Sequence, residues 1–65
     1  MVDSLTLYNA QFHKVKLTET YGTLHIETAI LYESEYDSGY YEAIIGLTND
    51  YYYKEHEISS IEILD

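Results

Sequence analysis

The side chains that most resemble a catalytic set lie near the C-terminus, where Ser59 and Ser60 follow His56 and Glu57. A serine hydrolase needs a hydroxyl, an imidazole and a carboxylate that meet in one pocket. Neighbouring residues of a strand point to opposite faces of a sheet, so His56 and Glu57 do not converge on one serine. A domain of this size also has little room to exclude water from a reacting group. The sequence therefore predicts a turn and a polar face here, and a protein that is not an enzyme.

Three histidines are the other candidates for chemistry, because imidazole is a common ligand of zinc. His13, His25 and His56 are too widely separated along the chain to show a metal-binding spacing. The segment Lys54-Glu55-His56-Glu57 does not contain the helical His-Glu-x-x-His pair of zinc proteases. The chain has no cysteine, which excludes thiolate zinc sites and disulfide bonds. We predict no metal site and no cofactor.

Acidic residues alternate at Glu33, Glu35 and Asp37, in a pattern that superficially suggests a calcium loop. An EF-hand loop needs glycine at its sixth position and a bidentate carboxylate at its twelfth. Counted from Glu33, these positions are occupied by Ser38 and Ile44. We therefore interpret the segment as an acidic hairpin tip that is exposed to water.

Tyrosine is the most unusual component of the chain, with 9 copies among 65 residues. Seven of them lie between residues 32 and 53, which is more rings than a small sheet buries. Exposed tyrosine is typical of interfaces, because its ring offers a large contact area and its hydroxyl forms hydrogen bonds. The alternative is that tyrosine, a good strand former, covers a small core. The partner-binding residues that we predict combine these rings with nearby carboxylates: Glu33, Glu35, Tyr36, Asp37, Tyr40 and Glu42.

The net charge limits the classes of partner. Twelve acidic residues oppose three lysines and no arginine, which gives a formal charge of -9. Such a surface repels phosphate backbones and anionic membranes, so we predict no direct binding to nucleic acid or to a membrane. The favoured partner is a basic protein surface, such as that of a nucleic-acid-binding protein or nuclease. The alternative is that the charge serves only solubility.

Length and composition predict one folded domain over residues 1–65. Hydrophobic residues make up 46% of the chain, which is too many for a disordered acidic tail. No apolar run approaches the roughly 18 residues that a membrane span needs. The start Met1-Val2-Asp3-Ser4 lacks the basic and apolar regions of a signal peptide. We expect a cytoplasmic protein, in a bacterium or a phage-infected host.

Alternation of apolar and polar residues predicts mainly strands. The predicted strands cover residues 12–19, 23–33, 40–47, 51–57 and 61–64, with a short 3-10 turn at residues 58–61 before the last strand. Turns are expected at Tyr21-Gly22, at residues 35–39 and at Thr48-Asn49-Asp50. The second strand has two distinct faces, one of which carries Leu24, Ile26, Thr28, Ile30 and Tyr32.

The first twelve residues fit two patterns. Leu5 and Leu7 alternate as in a strand, whereas Leu5, Tyr8 and Phe12 behind an N-cap at Asp3 or Ser4 fit one or two helical turns. We favour the strand. Five or six short strands joined by tight turns indicate a small barrel, because closing the sheet buries one face and removes its edges.

Several short stretches resemble those of SH3-like and Sm-like small barrels, in particular short proteins of Gram-positive bacteria and their mobile elements. The matching stretches are Lys16-Leu17-Thr18, Gly22-Thr23, residues 32–37 and residues 57–64. The resemblance covers most of the chain from residue 12 onward and implies an all-β, SH3-like or Sm-like barrel rather than an activity. RNA-binding Sm proteins carry a basic loop element that the turn Thr48-Asn49-Asp50 lacks, which argues against RNA binding.

The function that these features favour is a non-catalytic protein-protein binding module. It would press an acidic, tyrosine-rich face onto a basic site and block it, as an acidic mimic of DNA or RNA. Inhibitors of this kind, including anti-CRISPR and other anti-defence proteins of phages and mobile elements, are small and acidic. The alternative is a self-associating, Sm-like structural subunit whose edge strand, Tyr51 to Tyr53, pairs with a neighbouring copy. A small hydrolase is the third hypothesis and has the least support.

Overall fold

The computed structural model describes residues 2–65, which form one short helix, five strands and one 3-10 turn. In chain order these are α1 (Ser4–Ala10), β1 (Lys14–Glu19), β2 (Leu24–Glu33), β3 (Ile44–Leu47), β4 (Tyr52–Lys54), the 3-10 turn (Glu55–Glu57) and β5 (Ile58–Ile63). The predicted mostly-β fold, with a 3-10 turn before the last strand, is confirmed. Within residues 2–65, no helix has the length and apolar character that crossing a membrane requires.

The five strands form one antiparallel sheet in the order β4-β3-β2-β1-β5. β2 is the longest strand and connects the two halves of the sheet. Its first half, Leu24 to Thr28, pairs with β1, and its second half, from Ala29 onward, pairs with β3. A register shift between Ala29 and Leu31 marks the change of partner. β4 and β5 are the two edges.

One face of the sheet and the helix enclose the core. Leu7 and Ala10 of α1 pack with the inward residues of all five strands. The buried cluster contains Leu7, Ala10, Val15, Leu17, Ala29, Ala43, Ile45, Leu47, Tyr53 and Ile58. No polar or charged side chain among residues 2–65 is buried. The interior is therefore small and apolar.

The aliphatic face of β2 points away from this core. Leu24, Ile26 and Ile30 are 57%, 54% and 50% exposed, although their alternation is typical of a buried strand face. The register explains this orientation, because directly paired residues lie on the same face of a sheet. Glu27 and His25 pair with the buried residues Val15 and Leu17, so they lie on the core face. The polar face of β2 therefore turns inward at its first half, and the aliphatic face is left exposed.

The prediction of a strand at the N-terminus is wrong. Asp3 is the N-cap of α1, and its Oδ1 accepts hydrogen bonds from the backbone N and the Oγ1 of Thr6, at 2.8 and 2.6 Å. Leu7 and Ala10, one helical turn apart, are buried, so a helix buries apolar surface that a strand would not. The helical stripe of Leu5, Tyr8 and Phe12 that we also considered faces solvent instead.

Three predicted element boundaries also change. β3 begins at Ile44 rather than at residue 40, because Gly39 and Tyr41 have φ values of 83° and 63° that interrupt an extended strand. β4 ends at Lys54, whose backbone N donates to Glu57 Oε1 at 2.9 Å. That bond starts the 3-10 turn at Glu55–Glu57, three residues earlier than predicted, and residues 58–60 belong to β5.

Candidate protein interface

The loop between β2 and β3, residues 34–43, carries most of the predicted partner-binding residues. We call it the acidic loop. Hydrogen bonds to its serines fix the first half of the loop. The carbonyl of Ser34 accepts hydrogen bonds from the N atoms of Asp37 and Ser38, at 3.1 and 2.9 Å. The Oγ of Ser38 donates to the carbonyl of Glu42 at 2.6 Å. These hydrogen bonds take the place of strand pairing, so residues 34–43 form a loop rather than an extension of β2 and β3.

The second half of the acidic loop is fastened to the 3-10 turn. Glu42 accepts hydrogen bonds from the backbone N and the Nδ1 of His56, at 2.8 and 2.7 Å. The backbone N of Ala43 donates to Glu55 Oε1 at 2.8 Å, and the Glu55 N donates back to the Ala43 carbonyl at 3.2 Å. These contacts join the base of the loop to the element that precedes β5.

A cation–π contact extends the same support. The Nζ of Lys54 lies 4.3 Å from the centre of the Tyr40 ring. A cation over a tyrosine face is attracted by the ring quadrupole. Lys54, the last residue of β4, therefore links this strand to the loop, and its charge offsets part of the negative charge of Glu42.

The structure divides the six predicted partner-binding residues into two groups. Glu35, Tyr36 and Asp37 form the exposed turn at the loop tip, and the Tyr36 side chain is 88% exposed. Glu33 ends β2 and is half-buried. Tyr40 and Glu42 make the internal contacts with Lys54 and His56. The tip is thus free for a partner, whereas the base mainly supports the tip.

Sequence reasoning missed Tyr41, which is 94% exposed and has a φ of 63°. A bulky side chain in the left-handed region is strained. The alternation of residues 40–47 placed Tyr41 in a strand, so nothing in that pattern indicated its true position. The glycine at position 39 was the only local sign of an irregular backbone.

The tyrosine rings are mostly outside the core. Two are exceptions: Tyr53 is 7% exposed, and Tyr32 is half-buried, edge-on to Tyr8 with ring centres 5.5 Å apart. The other seven are each at least 53% exposed: Tyr8, Tyr21, Tyr36, Tyr40, Tyr41, Tyr51 and Tyr52. A protein of 65 residues therefore presents seven phenol rings to its surroundings.

The carboxylates are less free than the net charge suggests. Eight of the twelve accept hydrogen bonds within the chain, as an N-cap, as imidazole partners or as acceptors for backbone and hydroxyl groups: Asp3, Glu19, Glu27, Asp37, Glu42, Glu55, Glu57 and Asp65. The other four make no hydrogen bond to residues 2–65: Glu33, Glu35, Asp50 and Glu62. Two of these four, Glu33 and Glu35, flank Ser34 at the start of the acidic loop.

Each histidine pairs with a carboxylate from another part of the chain. His13 contacts Asp65 at 2.8 Å and His56 contacts Glu42 at 2.7 Å. His25 bridges Glu19 and the hydroxyl of Tyr53, which lies 3.3 Å from its Nε2. Desolvation raises the pKa of Tyr53. The contacts of His13 with Asp65, of His25 with Tyr53 and of His56 with Glu42 join residues that are 52, 28 and 14 positions apart in sequence.

Contacts with His56 stabilise the ionised form of Glu42. Partial burial opposes ionisation of this carboxyl group, but the hydrogen bonds from the backbone and imidazole of His56 outweigh burial and lower the pKa of Glu42. At the other end of the chain, the backbone N of Lys14 and the His13 ring lower the pKa of Asp65. Both carboxylates are therefore stabilised as anions by the fold.

The serine, histidine and glutamate residues near the C-terminus are not brought together. Ser59 Oγ donates to the backbone carbonyl of Thr18 at 3.1 Å, and the partner of His56 is Glu42. Within the described part of the chain, residues 2–65, no three His, Asp or Glu side chains are grouped to hold a metal ion. No protein-family model, curated protein or solved structure matches the chain. Its function must be inferred from its own geometry.

Proposed function

We propose that the protein is a non-catalytic binding module that docks the acidic loop onto a basic site of another protein. The basic sites with the right chemistry are those that bind nucleic acid, such as the groove of a nuclease. The module blocks such a site as an acidic mimic of DNA or RNA, in the manner of phage or mobile-element inhibitors of bacterial defence. This action takes place in the cytoplasm.

The observation that carries the proposal is the exposure of the tyrosine rings beside free carboxylates. Tyr36 and Tyr41 are 88% and 94% exposed, and Glu35 lies next to Tyr36 without a hydrogen bond to residues 2–65. An exposed ring contributes no packing to the folded monomer, but it supplies a large contact area to a partner. Neighbouring carboxylates steer the approach of a basic surface and select it.

The contacts at the base of the acidic loop order the loop before it binds a partner. The base of the loop is tied to the 3-10 turn through Glu42 and Ala43, and to the end of β4 through Tyr40. A loop that is already ordered loses less conformational entropy when it binds. We therefore expect a pre-shaped tip whose backbone moves little on binding.

A small SH3-like or Sm-like barrel is the finer architecture that we propose. The sheet order β4-β3-β2-β1-β5 leaves β4 and β5 as neighbours in sequence, joined only by the 3-10 turn. A strongly twisted small sheet brings such edges close together. This arrangement supports a rigid platform for the acidic loop.

The test measures competition with nucleic acid. The purified protein is added to a panel of bacterial nucleases and DNA-binding proteins, each bound to a fluorescent oligonucleotide, and displacement is followed by anisotropy at low and high salt. We expect displacement from at least one basic partner, with an affinity that falls as salt increases. The substitutions Glu33→Lys, Glu35→Lys and Asp37→Lys in one chain should abolish it.

A matched pair of single variants separates the loop from overall charge. Glu35→Lys and Glu62→Lys change the net charge equally, and both replace exposed carboxylates that make no hydrogen bond to residues 2–65. Glu35→Lys should weaken displacement, whereas Glu62→Lys should have little effect. Equal losses for the two variants, or full displacement by the triple variant, would reject the loop as the interface.

A second candidate function follows from the two edges of the sheet. β5 pairs with β1 on one side, and β4 pairs only with β3, so each presents one edge that has no strand beside it among residues 2–65. Edges of this kind pair with other chains. A self-associating, Sm-like subunit would join β4 of one copy to another copy. Light scattering at micromolar concentration distinguishes the two, because a stable ring supports assembly and a monomer supports the binding module.

A further inference from the structure

A cleft of about 280 Å³ lies on the outer face of the sheet, where β2, β3 and the turn before β4 meet. Its lining consists of Ile30, Leu31, Gly46, Leu47, Asp50 and Tyr52. The acidic loop precedes β3, whereas the turn at residues 48–51 follows β3, so the two features lie at opposite ends of that strand. The cleft is therefore separate from the interface proposed above.

Two features of the backbone create the cleft. The register shift between Ala29 and Leu31 leaves Ile30 and Leu31 side by side at its wall, while Ala29 is buried in the core. Gly46 forms the floor. A Cβ atom at Gly46 would lie 2.9 Å from two carbons of the Tyr52 ring and 3.1 Å from the Leu31 Cβ. Only glycine lets the Tyr52 ring lie against the strand without displacement.

Three kinds of chemical group line the cleft. Ile30 and Leu31 supply apolar walls, and the Tyr52 ring remains 65% exposed, so its surface is open to a ligand. Asp50 supplies a negative charge, and its carboxylate makes no hydrogen bond to residues 2–65. Its backbone N donates to the Leu47 carbonyl at 3.0 Å, which fixes the turn that carries it. No lysine or histidine lines the cleft.

We propose that this cleft binds the guanidinium group of one arginine side chain from a protein partner. The methylene stem of arginine contacts Ile30 and Leu31, its planar cation stacks on the Tyr52 ring, and its N–H groups donate to the Asp50 carboxylate. Arginine fits better than lysine, because a guanidinium stacks on aromatic rings and pairs with a carboxylate through two parallel bonds. The net charge of -9 favours any cationic ligand over an anionic one.

The test uses an arginine derivative and needs no knowledge of the partner. Nα-acetyl-arginine methylamide is titrated into the isotope-labelled protein, and backbone chemical shifts are followed by NMR. We expect saturable shifts at Leu31, Gly46 and Asp50, with a Kd on the order of 1 to 10 mM for a single side chain. The neutral citrulline analogue has the same shape without the charge and should give no saturation.

Three variants of the protein locate the binding. Asp50→Asn keeps the turn, because asparagine also tolerates the φ of 71° at this position, and should weaken binding about three- to fivefold. Gly46→Ala adds a methyl group at the floor and should abolish binding. Glu35→Gln in the acidic loop is the matched control and should leave the Kd unchanged. A well-dispersed spectrum shows that each variant is folded.

Two results would overturn the proposal. Equal affinity for the citrulline analogue would show that charge is not recognised. Shifts that saturate in the acidic loop, or that survive in both Asp50→Asn and Gly46→Ala, would show that the cation is bound elsewhere. Neither result affects the test of the acidic loop, which measures displacement of nucleic acid from a different surface of the protein.

Discussion

The Glu42 carboxylate accepts two hydrogen bonds from one residue, the backbone N–H and the Nδ1 of His56, at 2.8 and 2.7 Å. The pair joins the acidic loop to the 3-10 turn across 14 positions of sequence. One acceptor site on each of its two oxygens is therefore occupied within the fold. Glu42 instead holds the loop in the shape that presents Glu35, Tyr36 and Asp37.

Replacing Glu42 should loosen the loop without unfolding the domain. Glu42→Ala removes both acceptors and should lower the free energy of unfolding by about 2 kcal/mol, because a net hydrogen bond contributes about 1 kcal/mol. Glu42→Gln keeps one acceptor and should cost about half as much. Urea unfolding followed by circular dichroism measures both, and hydrogen exchange at residues 40–43 should be faster in Glu42→Ala. Unchanged exchange there would contradict a supporting role.

The lowered carboxyl pKa values predict a loss of stability in acid. Fold contacts lower the pKa of Glu42 from its ordinary 4.5, and hydrogen bonds from Thr6 lower the pKa of Asp3 from 3.8. Asp65 is shifted in the same direction from 3.8. A group with a lower pKa in the folded state stabilises the fold above its ordinary value, and this stabilisation is lost as the pH falls through the folded value.

Stability should therefore fall below about pH 4.5, and the decline should continue through the aspartate range. Urea midpoints measured between neutral pH and about pH 3 give the slope. Glu42→Gln removes one titrating group, so its decline should be shallower than that of the unmodified protein. Parallel curves for the two proteins would show that the Glu42 contact with His56 does not contribute to acid sensitivity.

Tyr41 should show opposite effects on stability and on binding. Its φ of 63° is unfavourable for a bulky residue, and its ring is 94% exposed and adds little packing. Tyr41→Gly relieves the backbone strain and should raise the free energy of unfolding by about 1 kcal/mol. If the acidic loop is an interface, the same variant should displace nucleic acid more weakly from a basic partner.

Tyr21 provides a control for this comparison. It is 96% exposed but lies in the turn between β1 and β2, away from the acidic loop in sequence. Tyr21→Gly should leave displacement unchanged. A loss of displacement in Tyr21→Gly equal to that in Tyr41→Gly would indicate a general effect of surface tyrosine rather than a role of the loop.

The strands were predictable wherever apolar and polar side chains alternate along the chain and one face of the strand is buried. Val15 and Leu17 of β1 are both buried, as their alternation with lysine predicts. β2 was predictable as a strand but not in its orientation, because both of its faces carry apolar residues. The pairing of Leu17 with His25 decides the orientation, and that pairing is a property of the whole sheet.

The acidic loop was predictable in composition but not in its internal contacts. Residues 33–42 and their tyrosines were identified from charge and ring content alone. The bonds from Glu42 to His56 and from Ala43 to Glu55 join residues that are far apart in sequence, so no local pattern indicates them. The strain at Tyr41 was also hidden, because a tyrosine between Tyr40 and Glu42 continues an apparent strand.

The N-terminal helix gives a direct test of capping in this small fold. Asp3 accepts two hydrogen bonds from Thr6, so Asp3→Ala should lower the free energy of unfolding. Asp3→Asn keeps an N-cap acceptor and is the matched control, with a smaller loss. Because α1 has only 7 residues, it is stable mainly through the packing of Leu7 in the core. No difference between Asp3→Ala and Asp3→Asn would show that packing alone holds the helix.

Repulsion among the carboxylates should make the fold sensitive to salt. A charge of -9 on 65 residues destabilises a compact state, and salt screens this repulsion. We expect the melting temperature to rise between about 0.02 and 0.5 M NaCl. The variant Glu35→Lys reverses one charge without removing any hydrogen bond to residues 2–65, so it should melt higher at low salt and respond less to added salt. A melting temperature that falls with salt in the unmodified protein would mean that attraction between opposite charges outweighs the repulsion.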